Sequence, residues 1–114
     1  MLPAQYDAIA RFELTNWWYV ARRHLLEQTL RRQGPFARGL DLGCGVGSNL
    51  PVLARHCEEV LGIDASADAV GWCRRSERGP VQLGDLQGLE LPDDSADLVV
   101  CTDVLEHLDD WTDA

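Results

Sequence analysis

The sequence predicts an α/β fold built on a parallel sheet, and three observations carry that expectation. Short apolar runs at 39–42, 60–63, 81–83 and 97–101 alternate with segments of helical spacing. The run Val60-Leu61-Gly62-Ile63 is apolar throughout and flanked by charge, as a strand buried on both faces of a parallel sheet should be. Between the first run and the next helix lies Asp41-Leu42-Gly43-Cys44-Gly45-Val46-Gly47-Ser48-Asn49, with three glycines at alternate positions. Such a bend lets the backbone turn sharply and come close to a ligand.

Residues 4–33 read as helix, opening with Tyr6, Ile9 and Ala10 and breaking at Thr15-Asn16. A stronger helix runs from about Trp17, with Trp18, Ala21, Leu25, Leu26, Thr29 and Leu30 spaced for one face. Gly34-Pro35 stops it. The first strand is Gly39–Leu42, and the helix after the glycine bend spans Ser48 to about Cys57, with Pro51 in its first turn, where a missing N–H does no harm. Asp64 ends the second strand. Ser66 caps a helix reaching about Arg78, and Asp68 opposes its positive end. Gly79-Pro80 terminates that helix before the third strand, Val81-Gln82-Leu83, and Gly84-Asp85-Leu86. A loop at Pro92-Asp93-Asp94-Ser95 leads into the fourth strand, Asp97–Cys101, and a short helical stretch follows at Val104–Leu108. The crossovers should be right-handed.

The bulk numbers narrow the classes. With 114 residues one domain is the ceiling, and 46% apolar with 25% charged residues is a globular composition. No apolar run approaches the roughly 18 residues that span a bilayer, and no secretory signal is visible, so a cytoplasmic location without membrane contact is expected. Residues 1–40 hold six arginines against three acids; residues 41–114 hold four against sixteen, and the net charge is −9. An acidic body repels nucleic acid, which is not expected as a partner. Cys44, Cys57, Cys73 and Cys101 form no C-x-x-C and read as free thiols beside apolar segments, with no metal site expected.

The bend also discriminates between ligands. Counted from Gly43, the sixth position that a dinucleotide fingerprint fills with Gly or Ala holds Ser48. The chain has no lysine, which excludes a Walker-type phosphate loop. Asp64 stands about 20 residues on, where such folds place a ribose-binding carboxylate.

The string Leu40-Asp41-Leu42-Gly43-Cys44-Gly45-Val46-Gly47 resembles motif I of the class I S-adenosylmethionine (SAM)-dependent methyltransferases, small-molecule enzymes of type 11 or 12 among them. Further matches follow in order over roughly residues 38–110. The resemblance implies a Rossmann-like sheet whose first four strands lie in the order 3-2-1-4 out of seven, with an N-terminal helical cap. It divides the chain into a helical segment, 1–35, and a SAM-binding domain, 36–114, that is incomplete at its C-terminus. It also assigns roles. Asp41 attracts the ammonium of SAM, unless it is a plain strand-end charge. Gly43, Cys44, Gly45 and Gly47 bring backbone to the methionyl and ribose portions. Asp64, with Ala65 beside it, takes the ribose hydroxyls, or else caps the turn before Ser66. Asp85 and the Leu86 backbone meet the adenine, unless Asp85 is a turn aspartate. Cys101-Thr102 lines the cleft. Glu106 and His107 are the candidates for a general base, whereas His24 and His56 read as structural. Asn16–Arg23 either packs as an aromatic cap or helps cover the cofactor. The acceptor is expected to be a small molecule.

A fourth strand at the edge, apolar enough to be central, implies that residues 1–114 are the N-terminal part of a longer protein or that a partner covers this edge. Two other functional readings stand beside transfer to an acceptor: a SAM-binding fragment or partner-dependent subunit without catalysis, and a nicotinamide or nucleotide-sugar enzyme, against which Ser48 speaks.

Overall fold

The computed structural model describes residues 3–85 and 96–101. Helices α1 (Pro3–Thr15) and α2 (Trp17–Gln33) precede β1 (Phe36–Leu42), α3 (Leu50–Ala54), β2 (Cys57–Asp64), α4 (Ala67–Arg75), β3 (Val81–Leu83) and β4 (Leu98–Val100). The strands are all parallel and lie in the order β3-β2-β1-β4. The order implied by the family resemblance is therefore the observed one. The expected loop at Pro92–Ser95 and helical stretch at Val104–Leu108 lie outside the described residues.

The punctuation residues act where their chemistry demands. Asn16 separates the first two helices, its side chain accepting the N–H of Trp18 at 3.1 Å. Gly34 closes α2 by donating to Leu30 O at 2.7 Å. Ser66 Oγ accepts from Ala69 N at 3.2 Å and caps α4, with Asp68 in the first turn. Asp97 holds the edge strand in place: its carboxylate oxygens accept the backbone N–H of Ala37 and Arg38 at 2.9 and 2.8 Å. Those bonds favour the ionised form and keep its pKa below the ordinary aspartate value.

Several boundaries differ from the sequence-based expectation. β1 starts three residues earlier than Gly39, and β2 starts at Cys57, which was expected to end the preceding helix. The early ladder pairs Arg38 with Glu59, whose side chains meet at 3.3 Å on an exposed stretch. Strand seeking by apolar content misses such a charged beginning. α3 is correspondingly short, and α4 ends at Arg75 rather than Arg78.

Register puts Gly39, Asp41, Val60, Gly62, Val81, Leu98 and Val100 on one face of the sheet. Both core clusters lie on that face. In one, Tyr6 and Ala10 of α1 pack with Val70, Trp72 and Cys73 of α4 and with Val46, Leu50 and Val81. In the other, Leu30 of α2 packs with Val52, Leu53 and Val100. Two further bonds tie α1 to α4: Trp72 Nε1 donates to Asp7 at 2.9 Å, and the Tyr6 and Ser66 hydroxyls meet at 3.4 Å. On the opposite face Leu61, Leu40 and Val99 stand in one row across the strands, and Val99 is 55% exposed. The expected apolar face of α2 is only partly used. Leu30 is buried, but Trp17 and Leu25 are 74% and 61% exposed.

Candidate functional site

The carboxyl ends of β1 and β2 and the glycine bend between β1 and α3 form the site, which is where open parallel sheets hold ligands. The bend needs its glycines. Gly45 has φ +56°, and a Cβ built there would meet nothing within 4 Å, so the space above it is open. Gly47 has φ +74° and already packs tightly, a Cβ there falling 3.1 Å from Leu50 and Arg78 atoms. One glycine thus leaves room and the other closes the turn.

Asp64 locks the bend to the next strand. Its Oδ2 accepts the N–H of Gly45 at 2.8 Å, and its Oδ1 accepts the N–H of Ser66 at 2.9 Å. The turn-capping reading of this residue is therefore realised. A carboxylate carries about four acceptor sites, so each oxygen keeps a lone pair for a ligand hydroxyl. Ala65 follows, exposed, and Asp85 lies beyond Gly84, whose N–H donates to Asp64 O at 3.0 Å. The ends of β2 and β3 are thereby held side by side.

Asp41 is the unusual group. It is 1% exposed, and its Oδ1 has no hydrogen-bond partner among the described residues. Burial, and next the negative charge of Asp64, push its carboxyl up to about 7; Arg22 pulls it down and Glu13 pushes it up. A buried polar atom without a partner is costly, and native structures rarely leave one.

Asp41 lines a cavity of about 180 Å³ whose other walls are Gly43, Cys44, Gly45, Ser48 and Asn49 from the bend and Glu13, Tyr19 and Arg22 from the helical cap. The cap residues were not singled out individually from the sequence. Tyr19 and Arg22 fall in the Asn16–Arg23 stretch that the resemblance reads as an aromatic cap or a cover for the cofactor. The anchorages of α1 to α4 and of α2 to α3 bring the hairpin over the bend. Cys44 is half-buried, and a hydrogen bond to Cys73, then burial and the acids nearby, keep it a thiol. Cys73 Sγ donates to Gly45 O at 3.1 Å, a further brace on the bend.

The remaining expectations divide cleanly. Cys101 follows β4 at the same end of the sheet, whereas Leu86, Thr102, Glu106 and His107 lie outside the described residues. His56 sits at the opposite end, its Nε2 3.0 Å from Glu27, which also meets Arg55 at 3.1 Å. A cavity of about 370 Å³ opens there beneath the starts of β1 and β2, away from the bend. Among the described residues no group of three or more His, Cys, Asp or Glu is arranged to hold a metal ion, and no helix is long and apolar enough to cross a membrane.

Comparison with known proteins agrees with this geometry. A family profile described as "Methyltransferase domain" matches residues 40–114. A probable S-adenosylmethionine-dependent methyltransferase of Mycolicibacterium smegmatis is 36% identical over 101 residues, covering 87% of this chain and 38% of its own length. The chain thus spans well under half of that relative. Among solved structures, the N-methyltransferase NodS of Bradyrhizobium japonicum in complex with S-adenosyl-L-homocysteine superposes with a TM-score of 0.74 at 27% identity, over 87% of this chain and 52% of NodS. The SAM-bound amino pentose methyltransferase CalS10 of Micromonospora echinaspora gives 0.64 at 26% identity, over 84% and 40%. With the strand order, the glycine bend and a family match over most of its length in agreement, the chain belongs to the S-adenosylmethionine-dependent methyltransferases.

Proposed function

We propose that residues 36–114 bind SAM for methyl transfer to a small-molecule acceptor and that residues 1–35 form a helical cap over the site. The observation that carries this reading is the buried Oδ1 of Asp41, without a partner among the described residues, in the wall of the cavity beside the glycine bend. Such an atom calls for a cationic donor, and the methionyl ammonium is one. The open space above Gly45 suits close approach of the ligand, and Asp64 retains acceptor capacity for its ribose. Asp85 and Leu86 are assigned to the adenine and Thr102 to the cleft wall.

SAM supplies a methyl group already activated on a sulfonium. What remains for the protein is to align the reactants and exclude water, effects that can contribute on the order of 7–11 kcal/mol. Asp41 and Asp64 orient the donor, and the glycine bend fixes its depth. Where the acceptor keeps its proton, His107 or Glu106 is our candidate to take it, for a gain of roughly 10²–10⁴-fold. The small-molecule acceptor is supported by the amino pentose methyltransferase CalS10 among the similar structures.

Titration calorimetry of the chain with SAM tests the proposal. Saturable one-to-one binding that Asp41→Ala abolishes is expected, and no heat with SAM alongside tight NADH binding would overturn it. A second reading is binding without transfer, with the acceptor pocket completed by a partner or a further segment. The row of half-buried Leu61 and Leu40 beside exposed Val99, and the place of β4 at the sheet edge among the described residues, favour it. Binding with no transfer to any offered acceptor, and transfer once a partner or a longer chain is supplied, distinguishes it.

A further inference from the structure

Resting on the SAM reading above for its effect on the ligand, we propose that Cys44 and Cys73 are an oxidation site. Hydrogen peroxide closes them into a disulfide, which draws the glycine bend toward α4 and weakens its hold on the ligand.

The bend is folded around one sulfur. Cys73 is fully buried, yet its Sγ donates to Gly45 O at 3.1 Å and lies 3.4 Å from where a Cβ on Gly47 would stand. Cys44 reaches the same sulfur from within the bend: it packs against the cluster that holds Cys73, and the two thiols are hydrogen-bonded to each other. Cys44 is only half-buried and forms part of the cavity wall, so a small solute in the cavity meets it. The bond from Cys44 holds the Cys73 thiol below its ordinary range against burial, with Arg78 adding to it, and pushes the Cys44 thiol up. The pair therefore titrates as a unit. Its charge rests on Cys73 and passes to Cys44 when the proton crosses the bond.

As thiolate, Cys44 attacks one oxygen of the peroxide; the O–O bond breaks, and the leaving hydroxide takes a proton to become water. The Cys73 sulfur then attacks the Cys44 sulfenic acid, its S–O bond breaks, and a second water departs. Two thiols and one peroxide become one disulfide and two waters, the sulfurs losing the two electrons that the peroxide gains. Cys73 needs no access to solvent, because its partner comes to it.

An S–S bond of about 2.0 Å is much shorter than a hydrogen-bonded contact between thiols, so one side must move. Cys73 is packed in the core, and α4 is tied to α1 through Trp72 and Asp7. Cys44 lies in a bend between Gly43 and Gly45, and it is the bend that yields. Closure also removes the S–H that braces Gly45 O, and it pulls on the residue next to the Gly45 N–H that Asp64 accepts. By linkage, a ligand seated on the bend opposes the oxidation.

The test exposes the chain to a few equivalents of hydrogen peroxide, with and without S-adenosylhomocysteine, and maps its disulfides by mass spectrometry. Digestion at arginine and at acidic residues separates all four cysteines. A Cys44–Cys73 link that dithiothreitol removes is expected, forming more slowly with the ligand present. In calorimetry the linked chain should bind S-adenosylhomocysteine more weakly by about fivefold or more, with recovery on reduction. A Cys44→Ala chain, whatever its starting affinity, should not respond to peroxide. Absence of the link, or a link that leaves affinity unchanged, overturns the inference and leaves the SAM reading intact. A reduced chain that binds neither S-adenosylhomocysteine nor SAM overturns that reading and the affinity change with it, while the map still decides the disulfide.

Discussion

Replacing Asp41 with asparagine keeps the shape and removes the charge, and the consequence for stability can be worked out. In the folded chain burial raises this carboxyl from its ordinary 3.8 to about 7. The folded state therefore holds the proton more tightly than the unfolded chain, so wild-type stability falls as pH rises from about 4 to about 7. At roughly 1.36 kcal/mol per pH unit the full cost of ionisation approaches ~4 kcal/mol, with about 2.6 kcal/mol of it accruing between pH 5 and pH 8. Asparagine does not titrate there. Any fixed cost of placing an amide in the site cancels when the two pH values are compared. Urea unfolding at pH 5 and pH 8 should show Asp41→Asn gaining about 2–3 kcal/mol on wild type across that interval, an increase of about 1–2 M in relative midpoint if the slope lies in the usual range for a small domain. Stability curves that run parallel for the two proteins would mean the carboxylate already has its countercharge. The ammonium-binding role would then fall with it.

The same titration should mark ligand binding: a cationic amine wants Asp41 ionised, so S-adenosylhomocysteine affinity should be about fivefold lower at pH 6 than at pH 7, and a flat profile would count against the contact. Gly45→Ala should cost about 1–2 kcal/mol of stability through its φ of +56°, with SAM binding reduced at least tenfold because the new methyl enters the open space; unchanged affinity would move the ligand elsewhere. Asp64→Ala should weaken SAM by about 1–3 kcal/mol and, because the Gly45 and Ser66 N–H groups lose their acceptor, also lower the melting temperature. Asp97 has a depressed pKa, so it stabilises the fold above its unfolded value, and that contribution disappears as pH falls through the folded one. Asp97→Asn should therefore flatten the acid limb of the stability curve, and an acid limb identical to wild type would show that its bonds to Ala37 and Arg38 contribute nothing.

The strand order followed only from the family resemblance. The bend, the cap at Ser66 and the middle of β2 were legible because each is dictated locally: Gly45 and Gly47 by the sign of φ, Ser66 by a donor three residues on, and β2 by an apolar run that only a buried strand explains. The start of β2 at Cys57 was not, since Glu58 and Glu59 read as loop until Arg38 is placed opposite. Periodicity located a face on α2 but could not say what meets it, and Trp17 and Leu25 are largely exposed. Within the site, Asp41 was legible as a residue and illegible as a state, because burial and the neighbouring Asp64 set its proton affinity. Arg22 and Tyr19 were harder still. The resemblance placed their stretch near the cofactor, but which of its side chains line the cavity depends on where α1 and α2 are fastened, which is a matter of distant contacts.

Those fastenings have a kinetic meaning. α1 is pinned to α4 through Tyr6 and the Trp72–Asp7 bond, while α2 is pinned through Leu30 to the cluster under α3. The cap beside the glycine bend is thus held through α4 on one side and through α3 on the other, with Asn16 joining its two helices. On the SAM reading, loosening either fastening, for example by Leu30→Ala or Asp7→Asn, should shorten the ligand's residence time although neither side chain lines the cavity.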